Sequence, residues 1–79
     1  KAEVLFKEKK WKEAILAYQQ YRDRNPGGKN FAESTYKIGV CFQELAMKSE
    51  AKVFYEEVIA KFPKTEAARR ARVRLKQVQ

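Results

Sequence analysis

Displaced by 37 residues, the chain falls on itself: Glu13-Ala14 on Glu50-Ala51, Tyr18 on Tyr55 and Pro26 on Pro63. Tyr21 falls on Val58 and Ile38 on Leu75. A period of this size marks an array of stacked supersecondary units, because one such unit cannot bury its apolar face alone. The matched residues lie on stripes with helical spacing. Trp11, Ala14, Ile15, Tyr18 and Tyr21 form one; Ala51, Phe54, Tyr55, Val58, Ile59 and Phe62 form another; Ala68, Ala71, Leu75 and Val78 form a narrower third. Apolar residues at i, i+3, i+4 and i+7 share one face of a helix. No segment alternates apolar and polar long enough to make a half-buried strand.

Turn chemistry divides these stripes. Pro26 and Pro63 follow helix ends, where a missing N–H does no harm. Asn30-Phe31-Ala32-Glu33 has the spacing of a capping box, and Ser49 and Thr65 are N-cap residue types. The expected helices are 1–8, 11–24, 31–46, 50–61 and 66–78, joined by connections short enough to favour antiparallel neighbours. The expected fold is all-α, an antiparallel helix-pair solenoid of five helices. It forms a single domain over 1–79, with a partial unit at 1–29, a full unit at 30–64 and a terminal helix at 65–79.

Composition removes most site chemistry. Histidine is absent and Cys41 is the single cysteine among 79 residues. A zinc site needs several Cys or His at paired spacings, and a Ser–His–Asp or Cys–His arrangement needs a histidine. No disulfide forms within the chain. Cys41 beside Gly39 and Phe42 reads as a small buried hydrophobe, and Glu56-Glu57, adjacent on a helix, point different ways and read as a solvated face. Pro26-Gly27-Gly28-Lys29 lacks the spacing and the preceding strand of a phosphate loop. We expect no catalytic residue, no metal and no cofactor. The longest unbroken apolar run is Ala14 to Ala17, so no membrane insertion is expected. The chain opens on Lys1 without Met, as a piece of a longer protein would.

With Ile38-Gly39-x2-Phe42, Ala51-x3-Tyr55 and Pro63 in order, the second unit resembles the tetratricopeptide repeat. Ala2-x2-Leu5, Ala14-x3-Tyr18 and Pro26 carry the tail of the same pattern. The residue types have a physical reason. Ala14, Ala51 and Gly39 are small where helices cross closely, and Tyr18 and Tyr55 fill the space they leave. The chain departs from the standard repeat in its longer period, in Thr35 where a large residue is usual, and in Lys76 at the glycine place of the last helix. The long period, Tyr36-Lys37-Ile38-Gly39 and the stretch Ala51 to Leu75 look similar to one branch. It is the C-terminal domain of the Tol–Pal-associated periplasmic cell-division coordinator, the YbgF/CpoB family. Outer-membrane assembly lipoproteins of the BamD type carry similar repeats.

The resemblance implies a protein-interaction scaffold, periplasmic, whose partner is a protein or peptide segment, with a component of the Tol system as a candidate. In that family a coiled coil precedes the repeats and oligomerises the protein; no such segment is present in these 79 residues. The first helix of each unit would line a concave groove. Its positions map to Glu3, Phe6, Lys7, Glu33, Tyr36, Lys37, Val40, Gln43, Glu44, Arg70, Val73, Arg74 and Gln77. Phe6, Tyr36, Val40 and Val73 are then exposed apolar anchors within a cationic rim, unless a further repeat covers them. Self-association through an apolar edge of Leu5, Phe6, Ala68, Ala71 and Leu75 is a second expectation. The formal charge of +8 and the run Arg69, Arg70, Arg72, Arg74 and Lys76 leave a nucleic-acid-binding module as the rival from another class. That helix lacks aromatic residues for stacking, so no nucleic acid is expected.

Overall fold

The computed structural model describes residues 1–27 and 30–79. Gly28 and Lys29, in the loop that lengthens the period, lie outside the described residues. The described residues form five helices in order: α1 (Ala2–Lys7), α2 (Trp11–Arg24), α3 (Phe31–Glu44), α4 (Lys48–Lys61) and α5 (Glu66–Val78). Among the described residues there is no strand. Each helix packs on the next, and α3 also packs on α5. This is the expected all-α helix-pair solenoid.

The backbone repeats as the sequence does. Lys9 and Ala46, 37 residues apart, both sit at φ 62°, in the left-handed region. Both close the preceding helix in the same way. Lys9 N–H donates to Phe6 O and Lys10 N–H to Leu5 O; Ala46 N–H donates to Gln43 O and Met47 N–H to Phe42 O. These are paired Schellman-type closures, which satisfy carbonyls that the helix end leaves free. The ends of α2 and α4 match too, with Asn25 at φ −132°, ψ 57° and Phe62 at φ −134°, ψ 56°.

A side chain at positive φ is strained by its Cβ, and glycine is not. Ala46→Gly is therefore expected to stabilise the fold by roughly 0.5–1 kcal/mol. The same change at Ala60, exposed within α4, should destabilise by about 1 kcal/mol. Denaturant midpoints measured side by side check the opposite signs.

Two of the three expected caps differ. Thr65 caps α5, its hydroxyl accepting from Ala68 N–H at 3.1 Å. Asn30 makes no side-chain cap; its amide donates instead to the Tyr21 hydroxyl at 3.2 Å, tying α3 to α2. Ser49 lies inside the first turn of α4, because the closure at Ala46 starts that helix at Lys48.

Two apolar clusters make the core. Ala14, Ile15, Tyr18, Ile38 and Cys41 join α2 to α3. Tyr36, Val40, Ala51, Tyr55, Val58, Ala68 and Ala71 join α3, α4 and α5. Phe6 and Phe42 pack against both. Ala14 and Ala51 are wholly buried, as their place at close crossings requires. A Cβ placed on Gly39 would lie 2.6 Å from Cε1 of Tyr55, so only glycine lets that ring lie flat on α3. Thr35 is also fully buried, its hydroxyl donating to Phe31 O at 2.9 Å, so a small residue fills the place of the usual large one.

Glu57 is not part of a solvated face. It accepts from Arg22 at 3.1 Å, and the Arg22 guanidinium lies 4.6 Å from the centre of the Phe31 ring. This pair ties α2 to α4 beneath the start of α3.

The expected self-association edge is covered in the monomer. Ala68 and Ala71 have no exposed surface, and Leu75 packs beside them on the same cluster. Leu5 and Phe6 are half-buried against Trp11 and Tyr18.

Candidate functional site: the odd-helix strip

The first helix of each unit is α1, α3 or α5, and side chains join these three into one strip. The Lys37 ammonium stands 4.4 Å from the centre of the Phe6 ring, linking α3 to α1. Gln43 donates through Nε2 to Gln77 Oε1 at 2.9 Å, linking α3 to α5. Gln43 Oε1 in turn accepts from the Tyr55 hydroxyl at 2.7 Å and from Arg74 at 3.5 Å. Tyr55 rises from α4 through the gap over Gly39 to reach it. Sequence reasoning placed Tyr55 only as a core filler; its role as the post under Gln43 went unseen.

The structure brings most of the predicted groove residues onto this strip but changes their chemistry. Tyr36 and Val40 are 8% and 3% exposed, not open anchors. Tyr36 packs 6.0 Å from Tyr55, and both residues join the cluster formed with Ala67, Ala68 and Ala71. Small residues on α5 let it lie close over α3, and that approach covers them. Phe6 is half-buried, with Trp11 at 5.2 Å and Tyr18 at 6.4 Å edge-on. Val73 is 60% exposed and is the apolar anchor that remains open.

The polar members stay accessible. Glu3, Lys7, Glu44, Arg70 and Gln77 are exposed; Glu33, Lys37, Gln43 and Arg74 are partly so. Lys37 pairs with Glu33 at 4.0 Å, and Arg70 with Glu66 at 3.5 Å. At one end of the strip a hollow of about 560 Å³ lies between Glu3, Asn30, Glu33, Thr65 and Arg70. The surface is a ladder of amides and charges over a closed aromatic floor. It can hydrogen-bond an extended or helical segment and match acidic groups, but offers few apolar pockets.

Desolvation pulls the Arg74 guanidinium down, yet the neighbouring Tyr36 and Tyr55 hydroxyls outweigh it and hold Arg74 above its ordinary value. A guanidinium stays protonated in proteins, so Arg74 is a fixed cation. Burial pushes the Cys41 thiol up to about 11, so it is no nucleophile at neutral pH. Burial also raises the Tyr55 hydroxyl, which keeps it a neutral donor to Gln43. Among the described residues no three Cys, Asp or Glu side chains gather as metal ligands, and no helix is long and apolar enough to cross a membrane.

Searches of curated proteins and of solved structures give no match. The family model for the tetratricopeptide repeat matches residues 1–28 and 33–65. Those two spans cover all of α1, α2 and α4 and all but the first two residues of α3, the helix pairs whose closures, small crossing residues and filling tyrosines coincide under the 37-residue shift. The chain belongs to the tetratricopeptide repeat family.

Proposed function

We propose that the odd-helix strip binds an acidic segment of another protein, in the periplasm, as part of the Tol–Pal envelope system during cell division. Tetratricopeptide repeats generally mediate protein–protein interaction and typically act as non-catalytic scaffolds. The observation that carries the polar and acidic preference is the ladder of Lys37, Gln43, Gln77, Arg74 and Arg70 over a floor closed by Tyr36 and Val40. With that floor shut, hydrogen bonds and charge decide recognition. The Tol–Pal assignment rests on the resemblance of Ala51 to Leu75 and on the long period.

α5 carries no aromatic side chain on which a base could stack, which supports a protein partner over nucleic acid. Arg69 and Arg70 are engaged with Glu66, Arg72 donates to the Pro63 carbonyl at 3.1 Å, and Arg74 is held at Gln43.

The test is association with an acidic Tol-derived segment followed by stopped flow. Rim charges act mainly on encounter rate, and salt screens them. Lys37→Glu with Arg70→Glu is expected to slow association about tenfold at low salt, with the difference shrinking towards molar salt. Equal rates for the double variant and the parent at low salt would contradict the proposal.

A further inference from the structure

Gln43 sits where three hydrogen bonds meet, and its partners fix which way its amide points. Arg74 reaches it through Nη1 at 3.5 Å. A guanidinium has donors and no acceptor, so the atom of Gln43 that faces Arg74 is the oxygen. The Tyr55 hydroxyl, 2.7 Å from the same oxygen, therefore donates to it. That leaves Nε2 of Gln43 on the far side, donating to Gln77 Oε1 at 2.9 Å. Gln77 is exposed. With its oxygen taken it presents Nε2, a group with N–H donors and no acceptor. The polarity runs one way, from the buried ring of Tyr55 out to the surface.

The first unit has the same positions without this chain of bonds. In the 37-residue register Phe6 stands for Gln43, Lys37 for Arg74, Tyr18 for Tyr55 and Val40 for Gln77. Phe6 offers no acceptor, and the buried Tyr18 hydroxyl has no hydrogen-bond partner among the described residues. The Lys37 ammonium rests on the Phe6 ring instead. What the two units share is the sign, since Lys37, Arg74 and Gln77 all meet the strip with donors. Arg74 and Gln77 are three residues apart on α5 and so lie on one face. A carboxylate has two oxygens, one for each of them. A carboxamide of the same shape brings an NH2 against one donor and leaves that donor unpaired.

We infer that Tyr55, Gln43 and Gln77 form a one-way hydrogen-bond relay that makes the α3–α5 end of the strip read acceptors only, selecting an Asp or Glu side chain of the partner segment over its amide isostere. The inference rests on the strip as the binding surface. Gln77 touches the partner; Gln43 and Tyr55 are positioning residues. Without the Tyr55 hydroxyl, the Gln43 oxygen keeps only its long contact to Arg74. The amide then turns, and Gln77 offers either of its ends. Charge attraction alone does not depend on this relay, because Tyr55→Phe and Gln77→Met alter no charge.

The probe is the acidic Tol-derived segment of the stopped-flow test, with a set of peptides in which one Asp or Glu at a time becomes Asn or Gln. Dissociation constants come from nuclear magnetic resonance titrations at about 1 M salt, where the Debye length is about 3 Å and distant charge is screened. For the parent protein, exchange of the contacting carboxylate should weaken binding about tenfold, the size of a charged hydrogen bond. In Tyr55→Phe and Gln77→Met the same exchange should cost less than about threefold. Circular dichroism identifies a variant that fails to fold, and the exposed Gln77→Met then decides. In the free protein, the Gln43 Nε2 protons should show stronger Overhauser contacts to Gln77 than to the Tyr55 ring; the reverse order overturns the inference. A parent that binds the acid and amide peptides equally overturns it alone, as does a tenfold preference that survives in either folded variant. A parent that binds none of the peptides overturns the strip reading, and this inference with it.

Discussion

Tyr55→Ala is expected to destabilise the protein by about 3–5 kcal/mol, the range for deleting a fully buried ring. Tyr55 has no exposed surface and lies against Gly39, where no side chain exists to collapse into the space. A domain of this length has only roughly 4–12 kcal/mol in all, at 0.05–0.15 kcal/mol per residue. The variant should therefore be marginal or unfolded at room temperature. Tyr55→Phe keeps the ring and loses only the hydrogen bond to Gln43, so it should cost about 1 kcal/mol. Urea titrations of both variants separate ring from hydroxyl. Equal losses would mean that the ring does not fill the Gly39 gap.

Tyr36→Ala is the second large effect. An exposed binding anchor could be removed with the fold intact. The structure instead buries this ring between Tyr55 and the alanines of α5, so its removal should cost about 3 kcal/mol. Because it sits where α3, α4 and α5 meet, the loss should appear as a lower midpoint for the whole transition. A change below about 1 kcal/mol would put the ring outside the core.

Much of the architecture was legible because its signals are local. Periodicity marked the five helices, the prolines marked the ends of α2 and α4, and the coincidence of Tyr18 with Tyr55 announced the repeat. The missed features depend on how elements meet. Lys9 and Ala46 carry no glycine to advertise their left-handed turns, yet those turns move the start of α4 back to Lys48 and place Ser49 inside it. Asn30 has the type of a cap but finds Tyr21 within reach instead. The exposure of Tyr36 and Val40 could not be read from α3 alone, because Ala67, Ala68 and Ala71 on α5 decide how closely that helix comes. The same principle hid the pairing of Glu57 with Arg22, which are 35 residues apart. The strip residues themselves were legible from their register in the repeat; their change from apolar anchors to a polar ladder was not.

The central claim is that recognition takes place on the polar strip of α1, α3 and α5. It is tested most directly by mapping amide chemical shifts as an acidic Tol-derived segment is titrated in. The account predicts saturable changes concentrated at Lys37, Gln43, Arg70, Arg74 and Gln77, with the cores of α2 and α4 unmoved. Changes confined to the outer faces of α2 and α4, around Leu16 and Val53, would contradict it.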